Sequence, residues 1–335
     1  MTPRPADSST TTDLAILRAL RAHPQGHVSG AELAQQLGIT RAAIWNRIRE
    51  LRLHGYDISA SPQLGYRLES APDLLLRDDL LAQLGGTRVV GRDIQVFQQT
   101  ASTNDIVEKL ARDGVREGAV VLAESQTRGR GRLGRKWVSP PGRGLWCSVL
   151  LRPRLAPSQA TRLTILAAVA LARAIRDTTG LEPEIKWPND LLLRGRKVAG
   201  ILTEMHAEVE QVRHVILGIG VNVNLEATDL PPELRSVATS LKLELGVAVD
   251  RAALLVALLH HLDEGYARLG QGHFDELAAE WADRCGTLGR NVCIRTGSRE
   301  IRGCAESLDD AGALLVRTEH GHLERIIGGE VTLTR

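Results

Sequence analysis

Hydrophobic positions change their spacing along the chain, and each change predicts a different domain. Residues 13–70 carry apolar side chains at helical spacing, then two short segments in which apolar and polar residues alternate. Residues 85–284 mix strand-like apolar runs with long helical segments, and residues 285–335 return to short alternating strands. The pattern predicts an α+β protein of three folded domains. A disordered lead at 1–12 precedes them, and segment 71–84, a linker followed by a short helix, joins the first to the second.

Capping signals in the first domain predict a helix-turn-helix followed by a wing. Asp13, Ser29 and Thr40 each precede an apolar segment of helical period, and Gly38 marks a tight turn between the second and third helices. The alternating segments that follow predict a small hairpin. Helix, turn, helix and hairpin in this order are typical of a winged helix-turn-helix.

The third of these helices offers a polar face for DNA. We predict that segment 29–48 binds DNA through the side chains of Arg41, Asn46 and Arg47. The outward face also carries Ala42, Trp45 and Arg49. A helical oligomerisation domain, or a helix-turn-helix that no longer binds DNA, fits the same pattern.

A glycine-rich basic loop is the most unusual stretch of the second domain. Residues 126–137 read Q-T-R-G-R-G-R-L-G-R-K-W. Glycine loses much entropy on folding and like charges repel, so this loop is costly to order unless a polyanion binds in it. Taken alone, the loop also fits a solvated surface or a nucleic-acid contact.

Two phosphate-binding motifs nearly match this basic loop, and both are excluded. Gly129-x-Gly131-x-x-Gly134 has the spacing of the dinucleotide fingerprint, but that motif must open a helix. The chain continues with K-W-V-S-P-P-G, which cannot be helical. The outer glycines also have P-loop spacing, but Arg135 and Lys136 stand where a Lys-Ser/Thr pair is required.

Lys186 and Ser102 are further candidates for ligand binding. Lys186 ends a strand-like apolar run and begins the segment K-W-P-N-D. A lysine in a buried sheet is unfavourable unless an anion pairs with it, so Lys186 is predicted to bind an anion, with a structural role as the alternative. Ser102 precedes a predicted helix at 106–112 as its cap, and a helix start also attracts anionic groups.

Composition and charge limit the class of protein and the compartment in which it is expected. The 335 residues carry a net charge of +2 and are 43% hydrophobic, values typical of a globular protein. Such a small charge means that any binding of nucleic acid is local. No run of about 18 apolar residues and no signal-peptide core occurs, which predicts a cytoplasmic protein with no membrane partner. The four cysteines lack C-x-x-C spacing and are interpreted as reduced core residues rather than metal ligands.

Five motifs together resemble bacterial biotin protein ligases. They are S-T-N at 102–104, the basic loop at 126–137, K-W-P-N-D at 186–190, K-V-A-G-I-L-x-E at 197–204 and G-I-G-x-N at 218–222. The winged helix in front resembles that of the bifunctional type, which is also the repressor of the biotin operon. The resemblance runs from about residue 29 to the C-terminus, and the basic loop with K-W-P-N-D carries most of its specificity. Leu133 departs from the pattern, because another arginine is common there in relatives, so we assign it no ligand contact.

The resemblance implies a fold and a reaction. The second domain is expected to be a mixed sheet with helices, as in biotin and lipoate ligases, and the third an SH3-like β-barrel. That barrel is either a structural cap or helps to hold ATP or the acceptor. Biotin and ATP, with Mg²⁺, give biotinyl-5′-AMP, and biotin then passes to a lysine of the biotin carboxyl carrier protein of acetyl-CoA carboxylase. Biotinyl-5′-AMP is also expected to act as corepressor by promoting a homodimer on operator DNA.

The resemblance also implies roles for individual residues. Lys186 and Arg132 are expected to be catalytic, because they place positive charge on the reacting carboxylate and phosphate. The predicted biotin-binding residues are Ser102, Thr103, Asn104, Gln126, Arg130, Gly131, Arg132 and Lys186. The predicted ATP- and adenylate-binding residues are Arg130, Arg132, Arg135, Trp137, Lys186 and Asn222. No acidic cluster indicates the Mg²⁺ ligands, and Asp190 is a candidate base for the acceptor lysine on its position in the sequence.

Two other functions remain open at this point. A lipoate-ligase-like enzyme shares the fold, although the G-R-G-R-x-G-R-x-W loop and the winged helix are not expected in one. A DNA-binding regulator that senses a ligand without catalysis would not need Lys186 and the full set of arginines. Exchange of pyrophosphate into ATP that depends on biotin, on lipoate or on neither separates the three.

Overall fold

A computed structural model describes residues 8–209 and 211–333 of the chain. The chain divides into two compact units, one ending at Gly86 and the other beginning at Thr87. The elements of the first unit are α1 (Ser8–Arg21), α2 (Gly30–Leu37), α3 (Arg41–Leu53), β1 (Asp57–Ser61), β2 (Gly65–Ser70) and α4 (Arg77–Leu84).

The first unit has the helix order and the antiparallel hairpin of a winged helix-turn-helix. The Ser29 hydroxyl accepts a hydrogen bond from the backbone N–H of Ala31, and the Thr40 hydroxyl accepts one from Ala43, so both predicted caps are confirmed. Gly38 ends α2 at φ +64°, a left-handed conformation that glycine adopts without strain. The buried face of α3 consists of Ile44, Ile48 and Leu51.

Two boundaries in the first unit differ from the sequence-based prediction. Helix α1 begins at Ser8, so Asp13 lies inside it and does not cap it. The rest of the predicted disordered lead, residues 1–7, lies outside the described residues. The segment 71–84, predicted as a linker followed by a short helix, contains α4, which packs against α1 and buries Leu80 and Leu84. The short helix is therefore present, and it belongs to the first unit, which ends at Gly86.

The second unit contains a mixed seven-stranded sheet in the order β3-β4-β5-β9-β8-β7-β6. Strands β3 and β4 are parallel and the other neighbours are antiparallel, which confirms the predicted mixed sheet. The strands are β3 (Asp93–Thr100), β4 (Ala119–Gln126), β5 (Gly144–Leu151), β6 (Glu184–Lys186), β7 (Asp190–Leu193), β8 (Arg196–Ala207) and β9 (Val212–Asn222). The helices are α5 (Thr103–Arg112), α6 (Thr161–Thr179), α7 (Leu241–Leu245), α8 (Arg251–Gly270) and α9 (Phe274–Asp283).

Helix α6 is the buried centre of the helical layer, as its alanine- and leucine-rich sequence predicts. Most of its length is buried, it packs against α8, α9 and the sheet, and Gly180 ends it in a left-handed conformation. None of the helices in the described part of the chain is long and apolar enough to span a bilayer.

The C-terminal strands form an antiparallel sheet of five strands in the order β13-β12-β11-β10-β14. They are β10 (Asn291–Thr296), β11 (Arg299–Leu308), β12 (Leu314–Thr318), β13 (Leu323–Ile326) and β14 (Glu330–Leu333). Strands β13 and β14 lie at the two ends of this order. The predicted β-strands are therefore present, and their closure into an SH3-like barrel stays a prediction.

Candidate active site

A cavity of about 600 Å³ in the second unit is lined by residues from all five motifs. Every residue that the sequence predicts for biotin or ATP lines it, namely Ser102, Thr103, Asn104, Gln126, Arg130, Gly131, Arg132, Arg135, Trp137, Lys186 and Asn222. These residues come from a helix start, a loop and three strands, and the sheet order brings them together. Their ligand contacts stay a prediction.

Gln126, at the end of β4, organises the polar floor of the cavity. Its Oε1 accepts hydrogen bonds from the backbone N–H of Thr103 at 2.9 Å and from the Thr103 hydroxyl at 3.2 Å. Its Nε2 donates to the hydroxyl of Ser139 at 3.0 Å. Gln126 therefore caps α5 from a neighbouring strand, while Ser102 stands at the N-cap position without making a capping bond.

Asn104 is held on this floor by two residues that sequence reasoning missed. The hydroxyl of Ser148 donates to Asn104 Oδ1 at 2.5 Å, and Asn104 Nδ2 donates to Glu204 Oε2 at 2.7 Å. The amide lies against Gly218, where a Cβ would come within 2.5 Å of Asn104 Oδ1. Glu204 closes the K-V-A-G-I-L-x-E motif, so the family pattern contained a signal for it, whereas Ser148 lies in an apolar strand and gave none.

The basic loop folds back on itself beside the cavity. The N–H of Gly131 donates to the carbonyl of Arg135 at 2.7 Å, and the N–H of Trp137 donates to the carbonyl of Gly129 at 2.9 Å. A side chain at Gly129 would come within 2.5 Å of the Trp137 carbonyl, so this close approach requires glycine. Leu133 forms the turn at φ +55° and is 72% exposed. Leu133 also lines the cavity, so its assignment to no ligand contact stays a prediction.

The three loop arginines that line the cavity have different surroundings. Arg130 is paired with two carboxylates, Asp105 of α5 and Glu204 of β8. Arg135 is exposed and pairs with Glu330 of the C-terminal sheet.

Arg132 makes no ion pair within the described parts of the chain. Its Nη1 donates to Asn189 Oδ1 at 2.9 Å and lies 3.5 Å from the carbonyl oxygen of Gly329. Loss of hydration in this partly enclosed position lowers the pKa of the guanidinium, although it stays charged at neutral pH. Of the three arginines, Arg132 is the one that an incoming anion would find without a carboxylate partner.

Three lysines line the cavity, Lys136, Lys186 and Lys197, and of these only Lys186 was predicted to bind a ligand. Lys186 ends β6, a three-residue strand at the edge of the sheet, and is half-buried rather than deeply buried as expected. Among the described residues, no carboxylate lies within 4 Å of its amine. Lys197 on β8 was missed, because the run R-G-R-K at 194–197 was interpreted as a hairpin turn. Its Nζ lies 2.6 Å from Asp190 Oδ1 and 5.1 Å from the centre of the Trp137 ring.

An aromatic and apolar wall lies opposite the polar floor. Trp137 rests on two strands at Gly200 and Gly220, where a Cβ would come within 3 Å of its ring. The wall continues with Leu230, Leu234, Val237 and Ala238. Asn222 is buried here and donates through Nδ2 to the carbonyl of Thr239 at 2.9 Å. The lining of the cavity thus combines polar, cationic and apolar side chains.

The helix-turn-helix exposes part of its predicted DNA face. Arg41 and Asn46 are exposed, and so are Trp45 and Arg49, whose guanidinium carbon lies 5.3 Å from the centre of the Trp45 ring. Arg47 is less exposed, at 26% of its side chain, and its contact with DNA stays a prediction. Its guanidinium pairs with Asp13 of α1, with a distance of 2.6 Å from Nε to Oδ1, so Arg47 holds α3 against α1.

Comparison with known proteins matches each part of the chain to a family. Residues 96–222 match the biotin/lipoate A/B protein ligase family, residues 13–67 a helix-turn-helix domain, and residues 287–333 the biotin protein ligase C-terminal domain. A solved structure of similar fold is the biotin protein ligase from Aquifex aeolicus in complex with biotin and ATP. It aligns with a TM-score of 0.62 and 31% identity over 73% of this chain and 99% of that chain.

Two relatives match nearly the whole length. The bifunctional ligase/repressor BirA of Bacillus subtilis (strain 168) is 38% identical over 306 residues, which cover 91% of this chain and 94% of that protein. The protein of the same name from Escherichia coli (strain K12) is 32% identical over 318 residues, or 95% of this chain and 96% of that protein. The chain therefore belongs to the biotin protein ligase family, in its bifunctional ligase/repressor class.

Proposed function

We propose that this protein is an ATP-dependent biotin protein ligase that also represses transcription. It forms biotinyl-5′-AMP and transfers biotin to a lysine of the biotin carboxyl carrier protein of acetyl-CoA carboxylase. The observation that carries the proposal is the cavity itself, whose lining combines a polar floor, cations and an aromatic wall. A ring with hydrogen-bonding groups, a carboxylate beside a phosphate, and a purine would find partners in these three sets of residues.

The first half-reaction brings two anions together. A carboxylate oxygen of biotin attacks the α-phosphorus of ATP, and the bond to pyrophosphate breaks. Positive charge that is fixed in place before the reaction lowers the barrier, because it needs no reorganisation as charge moves. Lys186 and Arg132, which have no carboxylate partner in the described structure, are the groups we assign to this task.

Mg²⁺ is proposed to enter with the triphosphate. No cluster of three or more His, Cys, Asp or Glu side chains able to hold a metal occurs among the described residues. Mg²⁺ bound to ATP usually takes one or two carboxylates and completes its shell with phosphate oxygens and water. Of the carboxylates that line the cavity in the described structure, Asp190 faces Lys197 and Glu330 pairs with Arg135, so we assign neither to the ion. The ion would neutralise charge on the phosphates.

The second half-reaction transfers the biotinyl group. The acceptor lysine attacks the carbonyl carbon of the adenylate, AMP leaves, and the amine loses a proton. Asp190 was a candidate for accepting that proton, but its carboxylate lies 2.6 Å from the amine of Lys197. We therefore assign Asp190 to orienting Lys197 over Trp137 instead. This arrangement keeps a second cation beside the reacting groups.

Pyrophosphate exchange tests the enzymatic proposal. The purified chain, incubated with labelled pyrophosphate and ATP, is expected to exchange label when biotin is added and not when lipoate is added. Exchange that requires lipoate would favour the lipoate-ligase alternative. No exchange with either acid would favour a regulator that binds ligand without catalysis.

The repressor function is proposed to rest on the exposed face of α3. Arg41, Trp45, Asn46 and Arg49 face outward and are the side chains that a DNA groove would meet. In this proposal biotinyl-5′-AMP is the corepressor and promotes a homodimer on operator DNA. We place the protein in the cytoplasm, where its four unpaired cysteines would stay reduced.

Substitution of Arg41 should affect DNA binding, whereas substitution of Arg47 should affect the stability of the first unit. Arg41→Ala is expected to weaken binding to DNA from upstream of biotin-synthesis genes, with thermal stability unchanged. The slope of log affinity against log salt concentration should also become less steep by about one. Arg47→Ala is expected to destabilise the first unit by about 1 kcal/mol, because its partly exposed pair with Asp13 is lost. That corresponds to a melting temperature lower by roughly 4–8 °C. Fluorescence anisotropy and thermal melts measure the two effects, and an unchanged melt for Arg47→Ala would contradict the second.

Dimerisation is expected to follow corepressor formation. In sedimentation experiments, the chain with biotin and ATP together should show twice the monomer mass, and the chain with either ligand alone should remain mostly monomeric. The reason is that only the complete adenylate spans both the polar floor and the aromatic wall of the cavity. An unchanged mass with both ligands, under conditions where the adenylate forms, would contradict this prediction.

A further inference from the structure

The side chain of Glu204 on β8 contacts two parts of the site, the polar floor and the basic loop. Its Oε2 accepts from Asn104 Nδ2 at 2.7 Å and from Arg130 Nη2 at 3.1 Å, and its Oε1 lies 3.3 Å from the same arginine nitrogen. Asn104 belongs to the polar floor of the cavity. Arg130 belongs to the basic loop. One carboxylate therefore restrains both.

On the floor, Glu204 determines which way the Asn104 amide points. The Glu204 carboxylate can only accept, so Nδ2 must face it, and Oδ1 then faces the hydroxyl of Ser148, which also lies 2.6 Å from the Thr103 hydroxyl. Asn104 is only 4% exposed and rests against Gly218, which leaves little room for another orientation. A buried amide donor without an acceptor is unfavourable, so removal of Glu204 would release the amide from its single orientation.

In the loop, Glu204 supports an ion pair that would be weak alone. Arg130 contacts both Asp105 and Glu204, and all three side chains are between 38% and 44% exposed. A single exposed pair contributes little to stability, whereas a guanidinium held between two carboxylates is fixed from two directions. With Glu204 removed, only the pair with Asp105 would restrain this arginine.

We propose that Glu204 is a positioning residue that couples binding of the biotin ring to the order of the basic loop. A ligand that binds Asn104 fixes the position of the Glu204 carboxylate, and that carboxylate also binds Arg130. Conversely, an ordered basic loop holds the Glu204 carboxylate at the position where it accepts the hydrogen bond from Asn104. The inference rests on the biotin site proposed above and adds a connection between its two halves.

Three substitutions separate the two arms of this network. Ser148→Ala removes a partner of Asn104 without touching Arg130, and Asp105→Asn removes a partner of Arg130 without touching Asn104. Glu204→Ala affects both arms. Calorimetry measures the biotin Kd, and hydrogen exchange at the amides of Gly131 and Trp137, which close the loop, measures its order in the free protein.

Glu204→Ala is expected to raise the biotin Kd about tenfold and to speed loop exchange about tenfold, the change expected for the loss of one charge-assisted hydrogen bond. Ser148→Ala should act mainly on the Kd and Asp105→Asn mainly on loop exchange, each with a smaller change in the other readout, because the shared carboxylate joins the two arms. Glu204→Gln keeps a neutral acceptor for Asn104 and should behave like Asp105→Asn. Thermal melts of each variant show whether it is folded.

A Glu204→Ala protein that melts normally and changes only one of the two readouts would overturn the coupling. So would equal effects of Ser148→Ala and Asp105→Asn on both readouts, because the arms would then not be separate. Wild-type protein that binds no biotin would instead overturn the proposed biotin site.

Discussion

Lys186→Met is expected to fold normally and to form biotinyl-5′-AMP about 10²–10³ times more slowly than the wild type, the usual effect of losing one fixed group that stabilises charge in the transition state. Lys186 lines the cavity and has no carboxylate within 4 Å among the described residues, so its charge is available to a ligand. Methionine keeps the length of the side chain and the packing of its stem. The half-buried position at the end of an edge strand makes a large loss of stability unexpected.

Single-turnover formation of labelled biotinyl-5′-AMP measures the effect without interference from transfer to the acceptor. Lys197→Met is the matched comparison, because Lys197 also reaches the cavity but is paired with Asp190. Loss of Lys197 would leave the Asp190 carboxylate unpaired beside the phosphates, so a defect of similar size is expected there. A wild-type rate for Lys186→Met would mean that Lys186 is structural and that Lys197 alone serves the reacting groups.

Local signals in the sequence predicted most of the fold. Capping side chains act within three residues of the backbone groups they satisfy, so Ser29 and Thr40 were correctly placed from sequence alone. The long apolar helix α6 was equally clear from its composition. The motifs also predicted that distant residues would meet, and the cavity brings all of them together.

Interactions between distant residues were the ones that sequence reasoning missed. Whether Arg47 faces DNA or another helix depends on where α1 lies, and Asp13 is 34 positions away. Capping of α5 by Gln126 depends on the parallel pairing of β3 with β4, which no local pattern specifies. Lys197 was hidden for a similar reason, since only the pairing of β7 with β8 places it beside Asp190.

Arg132→Gly is expected to form biotinyl-5′-AMP but to release it early. In the described structure Arg132 is held by the neutral groups of Asn189 and Gly329 and lacks a carboxylate, so a phosphate oxygen would complete its surroundings. A charge-assisted hydrogen bond of this kind contributes roughly 1.5–3 kcal/mol, which corresponds to about ten- to a hundredfold weaker retention of the adenylate when it is lost. The added glycine also makes the loop more flexible, so it excludes water less well.

Released biotinyl-5′-AMP acylates exposed lysines of unrelated proteins. Incubation of each enzyme with serum albumin, biotin and ATP, followed by a blot for biotin, should therefore show strong labelling for Arg132→Gly and little for the wild type. Arg128→Gly is the matched control, because it adds the same flexibility to the loop but removes an exposed arginine that is not among the residues lining the cavity. Labelling by Arg128→Gly that equals that of Arg132→Gly would assign the effect to loop flexibility. Negligible labelling by both variants, with adenylate formation confirmed, would mean that Arg132 does not hold the intermediate.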